Sequence, residues 1–164
     1  MHRAPEDPLV PIRRAGPADA AAMADLAQRA YAPYLDRMEM RPGPMDADYV
    51  LAVEQDECWV VDGPDGAMIA MIVLCPTTDH LLLDNVAVDP GHQGRGTGRA
   101  LMLVAEERAR ALGLDEVRLY THVTMVENQR IYETHGYVET HRDADGRAAR
   151  VYYAKRVGGR PQTG

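Results

Sequence analysis

A glycine-rich turn between an apolar strand and a long helical segment is the feature that most restricts how this chain folds. Leu81–Val88 is almost continuously apolar, Asp89–Gly91 ends it, and Thr97–Leu112 has apolar residues at helical spacing. Between these segments, glycines alternate with other residues within Gln93–Arg99. A near-continuously apolar strand predicts a central position in a sheet, and the strand–turn–helix order predicts a mixed α/β fold.

The backbone of this turn predicts an anion-binding site. Glycine has no side chain, so backbone N–H groups can approach a ligand closely. The first turn of a helix leaves its N–H groups without intrahelical partners, at the positive end of the helix dipole. The dipole alone contributes only about 0.3–1 kcal/mol. Tight binding therefore needs several N–H groups at once, together with Arg95 or Arg99.

Two common phosphate-binding motifs do not fit this turn. The dinucleotide motif G-x-G-x-x-G fails in both registers, because its third glycine would fall on Arg99 or on Leu101. The nucleoside triphosphate motif G-x-x-x-x-G-K-[ST] fits the spacing from Gly91 to Gly96, but Thr97 occupies the lysine position. Neither class of ligand is therefore indicated.

Hydrophobic periodicity and turn residues predict the remaining elements. Strands are expected at Val10–Arg13, Cys58–Asp62, Ala67–Cys75, Leu81–Val88, Val117–Tyr120, Tyr137–His141 and Ala148–Lys155. Helices are expected at Asp19–Tyr31, near Asp46–Ala52, and at Thr97–Leu112 and Glu127–Thr134. The inner face of the long helix is predicted to carry Leu101, Val104, Ala105, Arg108 and Leu112. The expected fold class is α/β, with a central mixed twisted sheet of roughly six to seven strands and about four flanking helices.

The 164 residues are enough for one domain with its own hydrophobic core. We expect a flexible lead at residues 1–8, a domain at 9–157, and a disordered polar tail at 158–164. The formal net charge of −7 and the absence of a dense basic stripe argue against nucleic-acid binding. No signal peptide or bilayer-length apolar stretch is visible, so a cytoplasmic location without membrane association is expected.

The histidine and cysteine spacings predict no metal site. His92, His122, His135 and His141 do not combine with Cys58 and Cys75 in a metal-ligand pattern. Both cysteines lie in apolar strand-like runs, which favours a reducing compartment over a disulfide framework. Cys75 is interpreted as a core residue.

The glycine turn and its flanks resemble the GNAT superfamily of acetyl-CoA-dependent N-acyltransferases. Gln93–Gly98 matches the signature Q/R-x-x-G-x-G/A, and Val86–Pro90 matches its usual V-x-V-x-P lead-in. A second stretch is also similar, because Tyr132 precedes Gly136-Tyr137 at the family's spacing. The resemblance extends from about Val10 to Arg156 and is strongest over Leu81–Tyr137.

This resemblance implies how acetyl-CoA, used as a co-substrate, would bind. Its diphosphate would lie on the backbone of Gln93, Gly94, Arg95, Gly96, Thr97, Gly98 and Arg99. Its pantetheine arm would pair with the backbone of Val86, Ala87 and Val88, like an added strand. The asparagine that family members often carry before the tyrosine is Met125 here. Asn128, four residues before Tyr132, is the expected substitute because residues four apart share a helix face.

Family enzymes transfer the acetyl group directly to an amine, so a proton acceptor and a proton donor are needed. A free alkyl amine has a pKa near ~10.4, so its deprotonation at pH 7 costs about 4–5 kcal/mol. Tyr132 is the predicted donor to the sulfur of the leaving thiolate. Asp84 is the first candidate base, because burial would raise its pKa. His80, Glu54 and a chain of water molecules are alternatives.

The acceptor itself is not identified by any sequence signature. Tyr31, Tyr34, Tyr49 and the Arg41–Met45 loop occupy the region where family members usually build the acceptor pocket. Small-molecule amines and protein amines both remain open as partners, and pairing into a homodimer, which is frequent in the family, remains open too. The alternative function is a non-catalytic acyl-CoA-binding or regulatory module on the same fold.

Overall fold

The computed structural model describes residues 11–38, 41–143 and 149–158. Within these ranges, the strands are β1 (Ile12–Arg14), β2 (Glu57–Asp62), β3 (Met68–Pro76), β4 (Leu81–Val88), β5 (Glu116–His122), β6 (Val138–Asp143) and β7 (Arg150–Arg156). The α-helices are α1 (Ala20–Tyr31), α2 (Tyr49–Gln55), α3 (Thr97–Ala111) and α4 (Val126–Thr134). The predicted lead at 1–8 lies outside the described residues, as do positions 159–164 of the predicted tail.

One mixed sheet contains all the described strands, in the order β1-β2-β3-β4-β5-β7-β6. The central pair, β4 and β5, is parallel, whereas every other neighbouring pair is antiparallel. The prediction of a mixed sheet of about seven strands with β4 at its centre is therefore confirmed. No helix in the described ranges is both long enough and apolar enough to cross a membrane.

The parallel pair separates after only two residues. Leu81 pairs with Val117 and Leu82 with Arg118, and the pairing of β4 with β5 stops there. Beyond this point β4 continues to pair with β3, from Leu83 to Val88. The sheet therefore opens into a cleft between the carboxyl-terminal halves of β4 and β5.

A β-bulge in β4 lies at the start of this cleft. Val73 of β3 faces Asn85 and the next residue, Leu74, faces Leu83, so Asp84 is the extra residue of β4. Because side chains alternate along a strand, the extra residue reverses which sequence positions face each side of the sheet. Leu83 accordingly packs in one core layer, while Ala87 packs in the other.

Each face of the sheet is covered by two helices. Helices α3 and α4 pack on one face, where Leu101, Ala105 and Tyr132 join buried residues of the strands. Helices α1 and α2 pack on the other, where Met23, Leu26 and Tyr49 belong to the second core cluster. These two layers fix the positions of the helix ends and of the turn between β4 and α3.

The predicted inner face of α3 is wrong in detail. Leu112 follows the last helical residue and is exposed, and the buried face instead includes Met102 and Ala109. Glu106 is also buried, and its Oε1 accepts a hydrogen bond from Lys155 Nζ at 2.8 Å. The spacing of apolar residues did not indicate that Glu106 is buried, because its partner Lys155 lies on β7, far away in sequence.

The segment after α1 also differs from the prediction. After α1 ends at Tyr31, Ala32–Arg37 continues as a 3₁₀ helix with Pro33 in its first turn. The short helix predicted near Asp46–Ala52 begins later, at Tyr49, and is capped by Asp48, whose side chain accepts from the backbone N–H of Leu51 at 3.0 Å. Proline is tolerated at the start of a 3₁₀ or α-helix, where its missing N–H is not needed.

Candidate active site

The backbone N–H groups of the glycine turn are unoccupied. From Gln93 to Arg99, none of them donates a hydrogen bond to an acceptor in the described part of the chain. The neighbouring groups do donate: the N–H of His92 to Asp89 O at 2.8 Å and that of Ala100 to Gly96 O at 3.0 Å. A continuous row of free donors at the start of α3 suits an anion with several oxygen atoms.

Two glycines of the turn need to be glycine because of their backbone geometry. Gly94 and Gly96 have φ angles of 80° and 84°, in the left-handed region. A Cβ added at either position would meet no atom within 4 Å, so the backbone conformation and not crowding is the constraint. Gly98 is different: its Cβ would lie 3.6 Å from Val88 Cγ2, an ordinary contact. A side chain at Gly98 is therefore compatible with the fold.

A groove of about 480 Å³ runs along this row of donors. It is bordered by Val86–Val88 of β4, by the turn from Gln93, and by Arg99. Arg99 is exposed and forms no ion pair with any described residue. Arg95 is also exposed but does not border the groove.

The open edge of β4 forms the wall of the groove. Since β5 pairs only with Leu81 and Leu82, the backbone of Val86–Val88 has no strand partner on its β5 side within the described residues. An extended ligand can hydrogen-bond to such an edge as an added strand. This arrangement fits the pantetheine arm and diphosphate of coenzyme A.

A second cavity, of about 360 Å³, lies on the other side of the cleft. Asp84, Tyr49 and the Arg41–Pro44 loop border it, together with Tyr120 and Arg150. We call it the acceptor cavity, and the first one the cofactor groove. The two cavities share four bordering residues: Tyr31, Val86, Asn128 and Tyr132.

Tyr132 lies at this junction with its hydroxyl free. The residue is 8% exposed, and its phenol forms no hydrogen bond within the described ranges. Burial, with smaller contributions from Tyr34 and Tyr153, raises its pKa well above the ordinary value. The phenol is therefore protonated at neutral pH and can donate a hydrogen bond to a group placed at the junction.

Asp84 borders the acceptor cavity from the β4 bulge. The residue is exposed to solvent through this cavity, while the surrounding protein partly buries its carboxyl group. Burial, reinforced by the negative charge of Asp56, raises the pKa of its carboxyl group, while Arg150 lowers it. No described residue forms an ion pair or hydrogen bond with the carboxylate. A carboxylate with a raised pKa and no partner has the properties of a general base.

The two alternative side-chain bases lie away from the site. His80 Nδ1 is 2.6 Å from Asp79 Oδ1, in a turn that borders neither cavity. Glu54, near the end of α2, borders neither cavity as well. Of the three proposed side-chain bases, the structure therefore places only Asp84 at the acceptor cavity.

Asn128 does reach the junction, next to the residue that replaces the usual asparagine. Met125 is buried, and its sulfur receives hydrogen bonds from Thr121 at 3.5 Å and from Asn128 at 3.6 Å. Asn128 is thus held beside both cavities by a weak bond to sulfur, which a stronger acceptor could replace.

The predicted acceptor-pocket residues divide between the two cavities. Tyr31 borders both, Tyr49 borders the acceptor cavity, and Tyr34 borders only the cofactor groove. Met45, at the end of the predicted loop, is buried and does not border either cavity. Cys75 packs against the core beside α1 and α2, as expected.

Asn85 is a site residue that sequence reasoning missed. Its Oδ1 accepts from the Tyr31 hydroxyl at 2.6 Å, and its Nδ2 donates to Tyr49 Oη at 3.1 Å. The Tyr49 hydroxyl in turn donates to the Pro44 carbonyl at 2.6 Å. This chain of bonds, which we call the tyrosine–asparagine network, ties the β4 bulge to the loop over the acceptor cavity. The only sequence signal was a polar residue inside an apolar strand.

Comparison with known proteins agrees with this geometry. The chain belongs to the acetyltransferase (GNAT) family, whose model matches residues 20–137. It is therefore an acyltransferase enzyme of a family that uses acetyl-CoA, and the prediction of an enzyme is confirmed.

A mycothiol acetyltransferase from Beutenbergia cavernae is 36% identical over 96 residues, covering 53% of this chain and 32% of that protein. The chain thus matches about a third of the length of this curated relative.

Two solved structures share the fold at lower identity. The ribosomal-protein-S18-alanine N-acetyltransferase from Escherichia coli has a TM-score of 0.72 and 21% identity, covering 93% of this chain and 97% of its own. The PaiA N-acetyltransferase from Thermoplasma acidophilum, in complex with coenzyme A, has a TM-score of 0.76 and 16% identity, covering 89% and 98%.

Proposed function

We propose that the protein transfers an acetyl group from acetyl-CoA directly to a primary amine while both substrates are bound. The observation that carries the proposal is the junction of the cofactor groove and the acceptor cavity at Tyr31, Val86, Asn128 and Tyr132. Two substrates that approach from opposite sides can meet there without a covalent enzyme intermediate. Holding both reactants in place removes much of the entropic part of the barrier.

The cofactor is held mainly by backbone groups in this proposal. The free N–H groups from Gln93 to Arg99 bind the diphosphate, with Arg99 as an additional cation. The open edge of Val86–Val88 pairs with the pantetheine arm, which places the sulfur near Tyr132. When bound, acetyl-CoA supplies an activated acetyl thioester.

In this proposal Asp84 removes the proton that the amine loses, and Tyr132 stabilises the leaving thiolate, which takes up a proton through solvent, so that the products are the amide and the free thiol. Asp84 accepts the proton that the amine must lose, directly or through water, and its raised pKa makes it a better base than an exposed aspartate. Tyr132 donates a hydrogen bond to the sulfur as the carbon–sulfur bond breaks, and its raised pKa keeps the phenol protonated. The raised pKa of the neighbouring Tyr31, caused mainly by burial, keeps that phenol neutral too.

The acceptor does not follow from the similar proteins. The names of the mycothiol acetyltransferase and the ribosomal-protein-S18-alanine N-acetyltransferase refer to different acceptors. The acceptor must instead be inferred from the cavity of this chain.

Calorimetry and a thiol assay test the proposal together. Acetyl-CoA should bind with a Kd within about 1 µM–1 mM, the range of ordinary enzyme substrates. An amine library should then give release of free CoA thiol and an acetylated product by mass spectrometry. Lack of acetyl-CoA binding at millimolar concentration would exclude the proposed cofactor site. Binding without thiol release for any amine would indicate a non-catalytic module.

A further inference from the structure

Two side chains of opposite charge border the acceptor cavity without a hydrogen bond or ion pair to any described residue. Asp84 comes from the β4 bulge and Arg150 from the start of β7. Neither forms an ion pair or hydrogen bond within the described ranges, with each other or with another residue. Charged side chains that border a cavity without partners are available for a ligand of matching charges.

Arg150 is held in place by aromatic stacking. Its guanidinium carbon lies 4.2 Å from the centre of the Tyr120 ring. Tyr120 contacts Tyr152 at 5.8 Å, and Tyr152 stacks on His141 at 4.1 Å with nearly parallel rings. A guanidinium that stacks through its face keeps its N–H donors free at the edge, in the geometry that suits a carboxylate.

The other basic side chains of the cavity offer no free charge. Arg41 donates to Asp46 Oδ1 at 3.1 Å and to Gln28 Oε1 at 3.2 Å. Burial lowers the pKa of His122, which favours its neutral form. Its Nδ1 lies 2.8 Å from Thr124 Oγ1. The free charges of the cavity are therefore one carboxylate and one guanidinium.

We propose that the amine acceptor also carries a carboxylate, which Arg150 binds while the amine faces Asp84. This inference rests on the proposed acetyl transfer and adds the chemical class of its acceptor. A diamine or polyamine would leave Arg150 unpaired and place a second cation near it. A molecule with one amine and one carboxylate would match both free charges.

The positions of the strands set the approximate size of this acceptor. Asp84 and Arg150 lie on β4 and β7, with β5 between them. Two strand spacings separate their backbones by roughly 10 Å, and the opening between β4 and β5 adds to this distance. Both side chains border the same cavity of about 360 Å³, so we expect an acceptor that contacts both to be about the size of an amino acid or a dipeptide.

Paired acceptors that differ only in the carboxylate test the inference. We would measure CoA thiol release with amino acids, γ-aminobutyrate and dipeptides, each against its carboxamide and its decarboxylated amine. The carboxylate forms should have kcat/KM values at least about 10-fold higher, as expected for a charged hydrogen bond. In Arg150→Gln this preference should disappear through a higher KM for the carboxylate forms. Arg150→Lys should retain part of it.

Arg118→Gln is the matched control. It removes the same charge from the neighbouring strand β5, but Arg118 pairs with Glu116 outside the cavity. It should leave the preference unchanged, and thermal melting should show that both variants are folded. Equal use of carboxamides, an unaltered preference in Arg150→Gln, or acetylation of diamines and amino sugars alone would overturn the inference and leave the acetyltransferase proposal intact. Failure to bind acetyl-CoA would instead defeat the proposed function itself.

Discussion

The cofactor groove and the acceptor cavity are built in different ways. The groove uses backbone groups from one continuous stretch, Val86–Arg99, in which the strand edge and the helix start are adjacent in sequence. The acceptor cavity uses side chains from α1, α2, β4, β5, α4 and β7, which are far apart in sequence. This stretch of the groove depends on free N–H groups and an open strand edge, whereas the acceptor cavity depends on which side chains meet.

Because of this difference, substitutions in the two regions should change different measured quantities. In the proposed function, the groove binds its cofactor through backbone donors, which need the right conformation at Gly94 and Gly96 more than particular side chains. In the proposed function, the acceptor cavity selects its substrate through individual side chains such as Arg150. Variants of the groove should therefore alter cofactor affinity, and variants of the cavity should alter turnover or acceptor use.

The largest effect is expected from Gly98→Asp. A side chain fits at this position, and an aspartate in the first turn favours the helix, so the fold should keep its stability. The new carboxylate would face the site proposed for the diphosphate, where like charges cost several kcal/mol. We expect the Kd for acetyl-CoA, measured by calorimetry, to rise about 1,000-fold.

Leu103→Asp is the matched control for this variant. It adds the same charge to α3 at a side chain that is exposed and borders neither cavity. Its Kd for acetyl-CoA should stay within about twofold of the parent value. Equal loss in both variants would show that net charge, and not a local site, governs binding. Unchanged affinity in Gly98→Asp would place the diphosphate elsewhere.

The groove was largely predictable from the sequence because its determinants are local. Glycines at fixed spacing, an apolar strand before them and an amphipathic helix after them specify the β4–turn–α3 unit without long-range information. The same stretch did not reveal that Gly98 tolerates a side chain. That conclusion depends on the 3.6 Å distance to Val88, which only the folded chain defines.

A smaller effect on turnover, with intact cofactor binding, is expected from Asp84→Asn. General-base removal costs about 100-fold or more in kcat/KM. The acidic limb of the pH–rate profile should weaken, because the wild-type base is lost as pH falls through its raised pKa.

Stability should change in the opposite direction in Asp84→Asn. The folded-state pKa of Asp84 lies above its ordinary value, so the ionised carboxylate destabilises the fold once the pH exceeds the unfolded-state pKa. At neutral pH the asparagine variant should melt at the same or a higher temperature than the parent. A lower melting temperature together with lost activity would indicate a structural role for Asp84.

Tyr132→Phe should reduce turnover less than Asp84→Asn. The leaving thiolate belongs to an alkyl thiol with a pKa near ~8.5, so it needs less help from an acid than the amine needs from a base. We expect kcat to fall about 10-fold, with the Kd for acetyl-CoA within about twofold. The hydroxyl has no partner within the described ranges, so the fold should lose no hydrogen bond. Unaltered turnover would remove Tyr132 from the mechanism.

The acceptor cavity was less predictable, for two physical reasons. The bulge at Asp84 reverses the alternation of β4, so the sequence alone could not show which face Asp84 or Asn85 occupies. Arg150 is an ordinary strand residue in sequence, and its role depends on stacking against Tyr120 of another strand. Long-range pairing of this kind leaves no local pattern.

The smallest effect is expected from Tyr49→Phe, which breaks the tyrosine–asparagine network at one point. The Tyr49 hydroxyl accepts from Asn85 and donates to Pro44 O, so its removal leaves a buried amide and a carbonyl without these bonds. Such a loss costs about 1–3 kcal/mol of stability, seen as a lower melting temperature. Because Pro44 belongs to the loop over the acceptor cavity, the acceptor KM should rise about threefold, while kcat and the Kd for acetyl-CoA stay near the parent values. Tyr152→Phe, which removes a hydroxyl outside this network, is the control.

A change in the Kd for acetyl-CoA in Tyr49→Phe would mean that the cofactor groove and the acceptor cavity are coupled through β4 and are not independent.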